Sequence, residues 1–231
     1  MTIGIGAMGS NAGLAVFRAL AAAEAVGSGA IGGFAVFAAL TSDGRILRAE
    51  TQRGGSATLF TEGETTGTMP PPVIAAAPFA ALMSSGPDRP APLSQFLAAS
   101  EAGLVTGHRL PNSSGLDGRP VNETVLADLA SGISAEEALA RVLEGDPDID
   151  AGMIALGPGC GLAVRNSRLV DVRPDLGIAQ LAVGNTAVAV LHNAIRPSAE
   201  LAPLVAAVAF EVLAPPHAVA GHAIVRAGTP V

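Results

Sequence analysis

The second residue of the chain could carry out N-terminal catalysis. Thr2 follows Met1 directly and opens a glycine-rich apolar segment. Removal of Met1, which a small second residue permits, would give Thr2 a free α-amine with a pKa of about 7.7–8.0. That amine could take the proton of the Thr2 hydroxyl, so that one residue serves as both nucleophile and base. We therefore predict Thr2 as a catalytic residue; the alternative is an ordinary strand residue in a chain that keeps Met1.

Polar residues at three other places could bind or activate a substrate. His108, whose type titrates near neutral pH, could act as a general acid or base. Arg53 could hold a carboxylate through two parallel hydrogen bonds, and the amides of Gly54 and Gly55 could hold an oxyanion. The alternatives are a structural histidine at the end of a buried strand and a surface arginine at a β-bulge. The predicted substrate-binding set is completed by Arg109, Asn112 and Asn193.

Two further features could do chemistry. Cys160 lies in a glycine-rich turn, where an exposed thiol beside an imidazole could attack a carbonyl. The segment 84–89 could bind an anion through successive backbone amides. No residue beside Cys160 marks it as activated, and the composition of 84–89 is equally typical of a plain loop.

Composition excludes several functional classes. All 13 basic residues are arginine, so no lysine is present for a Schiff base or for a phosphate-binding loop. The net charge of -7 and the lack of Trp and Tyr predict no nucleic-acid partner. One cysteine cannot form a disulfide within the chain, and the four histidines lack compact ligand spacing, so we predict no metal and no cofactor. The partner that remains is a small-molecule ligand.

Chain length, charge content and the distribution of apolar residues predict the number of domains, the oligomeric state and the localisation. The 231 residues suit one domain over 1–231. Charged residues make up 14% of the chain, against roughly 25% in ordinary globular proteins, which predicts a homo-oligomer that hides part of its surface. The start lacks a positive signal-peptide region, and no run of about 18 apolar residues is uninterrupted, so we predict a cytoplasmic protein with no membrane partner.

The elements that must position these residues alternate between strands and helices. A strand over 2–8 leads into a helix ending near residue 26, which Ser10 or Asn11 could cap. Strands over 30–40 and 46–52 flank a turn at Asp43-Gly44. The further assignments are strands over 56–60, 104–108, 151–156, 161–166, 187–195 and 217–226, and helices over 70–83, 92–99, 122–130, from 134 with Ser134 as cap, and over 198–213. This mixture predicts an α+β fold with antiparallel sheets.

A dinucleotide-binding interpretation also has to be weighed. Gly4, Gly6 and Gly9 spell G-x-G-x-x-G before a helix, as in a pyrophosphate-binding turn. Only three residues precede Gly4, however, and the strand after the helix turns back through a hairpin, where a parallel sheet needs a crossover. Close backbone packing explains these glycines equally well. An antiparallel sheet would exclude the nucleotide interpretation.

Two regions carry a family resemblance. The segment from Asn122 to Arg141, followed by 150–156 and 161–167, is similar to the helix–helix–hairpin stretch of isoaspartyl peptidases and glycosylasparaginases. The start, with Thr2 opening a strand, resembles the bacterial relatives of the proteasome β-subunit. The whole chain resembles a bacterial family of unknown function placed among N-terminal-nucleophile (Ntn) hydrolase-like proteins.

The resemblance implies a fold and an activity. The fold would be an αββα sandwich of two mainly antiparallel sheets with helices on the outer faces. The activity would be hydrolysis of a small acidic or amide substrate. The pocket would lie where six residues converge: Thr2, Arg53, Gly54, His108, Arg109 and Asn193. The alternative is a non-catalytic relative that keeps the fold and binds a small ligand or assembles into an oligomer, since fold does not by itself decide function.

Overall fold

A computed structural model describes residues 1–86 and 88–214 of the chain, and this part is a mixed α+β structure. The predicted α+β class with antiparallel sheets is confirmed, whereas the strand predicted over 217–226 lies outside the described residues. The strands are β1 Thr2–Met8, β2 Ala35–Leu40, β3 Ile46–Thr51, β4 Thr61–Glu62, β5 Thr65–Thr66, β6 Phe79–Ser85, β7 Ala98–Ser100, β8 Gly103–Arg109, β9 Ala151–Gly157, β10 Gly161–Asn166, β11 Leu176–Val183 and β12 Thr186–Asn193. The α-helices are α1 Ala12–Val26, α2 Ser56–Leu59, α3 Pro72–Ala75, α4 Val121–Ala130, α5 Ala135–Gly145, α6 Arg168–Asp171 and α7 Leu201–Leu213.

Two antiparallel sheets hold most of these strands. The larger has six strands in the order β11-β12-β1-β6-β2-β3, and the smaller has four in the order β10-β9-β8-β7. Strand β1 is central in the larger sheet, where Thr2 lies opposite Asn193 of β12 on one side and Ser85 of β6 on the other. Because both neighbours of β1 run antiparallel to it, the dinucleotide-binding interpretation of Gly4, Gly6 and Gly9 is wrong.

The two faces of β1 have different surroundings. Ile3 and Ile5 are fully buried in a cluster that includes α1 and α7, which cover one face of the six-stranded sheet. The glycines alternate with them and face the four-stranded sheet, since a Cβ on Gly4 would lie 2.7 Å from the carbonyl oxygen of Gly107. Thr2 shares the face of Gly4, so its side chain enters the space between the sheets.

Three apolar clusters hold the layers together. One lies between α1, α7 and the six-stranded sheet; a second lies between the two sheets and includes Met83, Leu104 and Ile154. The third packs α4 and α5 on the outer face of the four-stranded sheet, where Val125 and Leu139 are fully buried. Apolar area buried in these clusters supplies the main driving force for the arrangement. No helix in the described part of the chain has the length and apolar character needed to cross a membrane.

Several predicted elements differ in the structure. Residues 70–83 form the short helix α3 followed by strand β6, and residues 56–59 form α2 where a strand was predicted. Residues 93–96 are a 3₁₀ helix followed by β7, and β11 was not predicted at all. The Ala-, Leu- and Met-rich sequence of β6 has helical propensity, but the strand pairs with both β1 and β2, and this pairing overrides the propensity.

The two predicted helix caps have opposite outcomes. Ser134 accepts a hydrogen bond from the Glu137 amide at 3.3 Å at the start of α5, as predicted. Asn11 precedes α1 with a φ of 63° and makes no side-chain cap, so the predicted capping bond is wrong there. Asparagine tolerates this left-handed conformation better than most residues, which suits it to the sharp turn between β1 and α1.

Candidate functional site

Thr2 lies at the end of the central strand with its hydroxyl between the two sheets. Its Oγ donates a hydrogen bond to Oδ1 of Asn193 at 2.8 Å and accepts one from the backbone amide of Arg109 at 2.7 Å. The first contact comes from the neighbouring strand of the same sheet, and the second comes from the facing sheet. Thr2 is 1% exposed, so both bonds lie away from water. The hydroxyl is therefore held in one orientation at the junction of the two sheets.

The amide that contacts Thr2 is aimed by an unusual backbone conformation. Arg109 has a φ of 63°, which is sparsely populated by residues other than glycine. Its guanidinium forms a two-bonded ion pair with the Asp150 carboxylate, and the amide of Leu110 donates to the Asp150 carbonyl oxygen. Asp150 thus fixes both the side chain of Arg109 and the residue after it.

His108 faces the same space from strand β8. Its Nε2 lies 3.0 Å from Oδ1 of Asn166, an acceptor, so a neutral ring donates there and keeps Nδ1 as an acceptor. Burial lowers the pKa of His108 from 6.5 to about 4, although the side chains of Asn166 and Asn193 oppose the shift. The ring is therefore neutral at pH 7. The predicted general acid–base role would need a pKa nearer neutrality, so hydrogen bonding is the role that this environment supports.

A second buried histidine lies one residue before Asn193. His192 belongs to the opposite face of β12, where it is fully buried beside Gly177. Burial lowers its pKa to about 4, and the charge of Asp175 acts in the opposite direction. Within the described residues, neither ring nitrogen of His192 has a hydrogen-bond partner. Both histidines therefore disfavour a protonated ring in the folded state.

The protein is expected to lose stability as the pH falls from about 6.5 towards 4. His108 and His192 stay neutral in the folded state over this range, whereas in the unfolded chain they take up protons. Each histidine then lowers the free energy of unfolding by about 1.4 kcal/mol per pH unit at most. Urea unfolding at pH 7 and pH 5 measures the difference, and His192→Gln is expected to reduce it.

The slope of stability against pH has to be compared between the wild-type and His192→Gln chains, because a second buried group, Glu24, also changes stability as the pH falls. Burial raises the pKa of Glu24 above its usual 4.5. Protonation of Glu24 therefore stabilises the folded protein as the pH falls, which opposes the destabilising effect of the histidines. Stability linked to Asp150, whose pKa the Arg109 hydrogen bonds lower, is lost only below about pH 4. An unchanged slope in His192→Gln would contradict the assignment of the pH effect to this ring.

Three arginines and one aspartate influence the amino group at the start of the chain. Burial lowers the pKa of the Met1 α-amine, and the charges of Arg89, Arg109 and Arg173 lower it further, while Asp175 raises it. A cavity of about 960 Å³ opens beside Met1 and is lined by Asp175 and residues 194–200, among others. A ligand in this cavity would therefore contact Met1, the residue that precedes Thr2.

Three residues at this end of the sheets have buried polar atoms without hydrogen-bond partners in the described part of the chain. Within the described residues, Oγ of Ser85, Nε of Arg89 and Nδ1 of His108 make no hydrogen bond. Ser85 lies directly opposite Thr2 in the sheet, and its side chain is on the same face. Because buried polar groups are nearly always paired with protein or water, these three atoms mark a place for water or for the polar groups of a ligand.

The structure separates the predicted site residues into two groups. Thr2, His108, Arg109 and Asn193 come together, joined by the hydrogen bonds of Thr2 and by the influence of Asn193 on His108. The others have different contacts. The side-chain amide of Asn112 donates to Oε1 of Gln95 at 2.8 Å. In the described residues it makes no hydrogen bond with the first group, which we call the Thr2 cluster.

The Arg53 loop does not form the predicted oxyanion site. Arg53 is exposed and gives its guanidinium to Asp88 in an ion pair at 2.7 Å. The Gly55 amide donates to the Gly33 carbonyl at 2.9 Å, so it is occupied, and Gly54 lies against Thr58 with a φ of 92°. Arg53, Gly54 and Gly55 follow the edge strand β3, and none of them hydrogen-bonds to Thr2 in the described part of the chain.

The predicted cysteine chemistry is also not supported. Cys160 is half-buried, and burial raises the pKa of its thiol, which disfavours the reactive thiolate. Its Sγ lies 3.7 Å from the Gly161 carbonyl oxygen, a weak contact within the turn. Among the residues that the structure describes, no group of three His, Cys, Asp or Glu side chains could hold a metal ion.

Sequence reasoning missed Asp150 and Asn166 as neighbours of the Thr2 site, because their proximity depends on long-range pairing. Ser85 and Arg89 lie in the segment 84–89, for which anion binding by backbone amides was one interpretation. In the structure the Ser85 amide donates to the Phe34 carbonyl and the Arg89 amide donates to the Gln52 side chain, so these two amides are occupied. Residues 79–83 were assigned to a helix, so the position of Ser85 at the end of a strand was not expected.

Comparison with known proteins gives a family match over nearly the whole chain. A family model described as Domain of unknown function (DUF6963) matches residues 2–222. The matched residues include every member of the Thr2 cluster. No curated protein matched the chain, and no solved structure matched it either.

Proposed function

The chain belongs to the family Domain of unknown function (DUF6963), and we propose that it is an Ntn amide hydrolase acting on a small acidic or amide substrate. Thr2 is its nucleophile once the bond between Met1 and Thr2 is cleaved. The observation that carries the proposal is the position of the Thr2 hydroxyl, which lies between the sheets at the end of the central strand and is held by Asn193 and the Arg109 amide.

The layer order supports the Ntn-type αββα sandwich as the finer description of the fold. Helices α1 and α7 lie outside the six-stranded sheet, and α4 and α5 lie outside the four-stranded sheet. The sheets face each other across an apolar core, with Thr2 at one end of that interface. In such an arrangement the end of a central strand lies near solvent, while the side chain of its terminal residue is enclosed by both sheets.

The chemistry uses the two groups of one residue. The α-amine and the hydroxyl of a free Thr2 are three bonds apart, so the neutral amine can take the hydroxyl proton as Oγ attacks the carbonyl carbon of the amide. The resulting ammonium group protonates the leaving nitrogen as the C–N bond breaks, which leaves an ester on Oγ. Water, deprotonated by the amine, then hydrolyses the ester and restores Thr2.

The surroundings of Thr2 favour a neutral α-amine and an activated hydroxyl, which these reaction steps require. An α-amine acts as a base only when it is neutral, and the burial and arginine charges that lower the pKa at Met1 would act on a Thr2 amine at the neighbouring position. The Arg109 amide donates to Oγ, which favours transfer of the hydroxyl proton to the amine because a partly deprotonated oxygen is the stronger acceptor. His108 stays neutral and offers Nδ1 as an acceptor.

One observation favours the alternative of a non-catalytic ligand-binding or assembly protein. With Met1 in place, Thr2 is 1% exposed and its amine is part of a peptide bond. Met1 is also anchored, because its sulfur accepts a hydrogen bond from the Ala30 amide at 3.2 Å. A chain that keeps Met1 has no base for Thr2, and its polar cluster would then serve binding alone. The homo-oligomer expected from the low charge content stays a prediction.

Labelling with an uncharged β-lactone is the experiment that tests the proposal. The chain isolated from its native host is expected to begin at Thr2, and the lactone is expected to acylate that residue, which intact and peptide mass spectrometry would locate. A matched sample engineered to keep Met1 should not be labelled, because it lacks the free amine. A native chain that begins at Met1, or one that begins at Thr2 and is not acylated there, would favour the non-catalytic alternative.

A further inference from the structure

Charge pairing near Thr2 leaves one arginine without a partner. Arg109 is paired with Asp150, and Arg173 is paired with Asp175 at 2.7 Å. Within residues 1–86 and 88–214, the guanidinium of Arg89 makes no ion pair or hydrogen bond, and its Nε is buried. Of these three arginines, Arg89 alone has no acidic partner in the described residues.

Arg89 is nevertheless held in place from both sides. The side chain of Gln52 clamps its backbone, donating to the Arg89 carbonyl at 2.7 Å and accepting from the Arg89 amide at 3.1 Å. The guanidinium carbon lies 5.8 Å from the centre of the Phe34 ring, a cation–π contact. Its neighbour Asp88 is not available to it, because Asp88 pairs with Arg53.

The position of Arg89 relates it to Thr2. Phe34 belongs to the cluster between the two sheets, and its carbonyl oxygen accepts the Ser85 amide at 3.2 Å. Ser85 in turn lies opposite Thr2 on β6, and its buried Oγ has no partner in the described part of the chain. Among the charged groups, Arg89 has the largest effect on the pKa of the Met1 amine, which agrees with this proximity.

We propose that Arg89 binds a carboxylate group of the ligand next to Thr2 and that the Ser85 hydroxyl donates to the same group. A planar guanidinium matches a carboxylate through two parallel hydrogen bonds, and the half-buried Arg89 has a buried Nε that such a carboxylate would pair. One unpaired arginine suits a monoanion, and Arg109 and Arg173 are already paired with Asp150 and Asp175, so neither supplies a second free cation for a doubly charged phosphate. The inference rests on the proposed hydrolase function only in naming this ligand as the substrate, which would then be an amide that also carries a carboxylate.

Binding is measured apart from catalysis by using chains that start at residue 2 and carry Thr2→Ala. Isothermal titration calorimetry in about 0.15 M NaCl compares succinamate, which has one carboxylate and one amide, with the neutral succinamide and with inorganic phosphate. Succinamate is expected to bind, and succinamide and phosphate are expected to bind at least about tenfold more weakly.

Variants of two arginines assign the effect. Arg89→Gln is expected to weaken succinamate binding by about tenfold or more, and Arg89→Lys by less, because lysine keeps the charge and loses the planar fork. Arg119→Gln is the matched control, since it removes an exposed arginine that pairs with Asp117, and it should leave binding unchanged. Circular dichroism establishes that each variant is folded.

The result that would overturn the inference is equal succinamate affinity in the parent and Arg89→Gln chains. No succinamate binding by the parent chain, or tighter binding of phosphate than of succinamate, would overturn it as well. Failure of the hydrolase proposal looks different: the lactone would not acylate Thr2, while Arg89-dependent binding of succinamate would persist. Acylation of Thr2 combined with unchanged binding in Arg89→Gln would reject the carboxylate site alone.

Discussion

Thr2→Ala is expected to abolish amide hydrolysis by the processed protein, with a loss of about 10⁴-fold or more in kcat/KM. The reason is that the proposed mechanism has no nucleophile without the hydroxyl, whereas alanine still permits removal of Met1. Thr2→Ser keeps the hydroxyl and the amine, so it is expected to retain measurable activity. Hydrolysis of succinamate, followed as ammonia released, measures all three chains.

Thr106→Ala provides a matched control for this prediction. Thr106 is also fully buried between the sheets, and its hydroxyl donates to the Leu82 carbonyl oxygen at 2.9 Å. Removal of either hydroxyl leaves buried groups without partners and is expected to cost about 1–3 kcal/mol of stability. Only Thr2→Ala should also abolish turnover. Equal activity in the wild-type and Thr2→Ala chains would rule out Thr2 as the nucleophile.

Gly4→Ala is expected to destabilise the protein by about 3 kcal/mol. A Cβ at Gly4 would lie 2.7 Å from the carbonyl oxygen of Gly107 and 2.9 Å from its carbonyl carbon, both backbone atoms of the facing sheet. Backbone in paired strands cannot move aside as a side chain can, so the two sheets must separate at this point. Chemical denaturation at constant pH measures the loss.

The same substitution is expected to disturb the site. Gly4 is two residues from Thr2, and Gly107 is two residues from Arg109, whose amide contacts the Thr2 hydroxyl across the interface. Separation of the sheets would lengthen this hydrogen bond, so lactone labelling of Thr2 should slow in chains that remain folded.

Gly145→Ala is the control for glycine replacement as such. Gly145 ends α5, and a Cβ there meets no atom within 4 Å. Its stability should change by at most about 1 kcal/mol, with a gain expected because alanine favours the helix. A Gly4→Ala chain as stable as Gly145→Ala would show that the sheets do not approach as closely as the glycines indicate.

Local signals in the sequence identified the elements that depend on a few neighbouring residues. The Asp43-Gly44 turn predicts the β2–β3 hairpin, and Ser134 with Glu137 predicts the start of α5. Strand β6 escaped this reasoning, because it is buried on both faces and shows no alternation. Only its pairing with β1 and β2 distinguishes it from a helix of the same composition.

The features of the candidate site also divide into those that the sequence determined and those that only the tertiary structure decided. The sequence by itself determined the residue types available: a threonine at position 2, polar groups at strand ends, and arginine as the sole cation apart from histidine and the amino terminus. It placed Thr2, His108, Arg109 and Asn193 at strand ends, and strand ends of two facing sheets can meet. Tertiary structure decided which of them do meet, since the bond between Thr2 and Asn193 joins residues 191 positions apart. It also decided that Arg53 pairs with Asp88 while Arg89 stays without an acidic partner in the described residues, because charge pairing depends on distances that only the packed sheets establish.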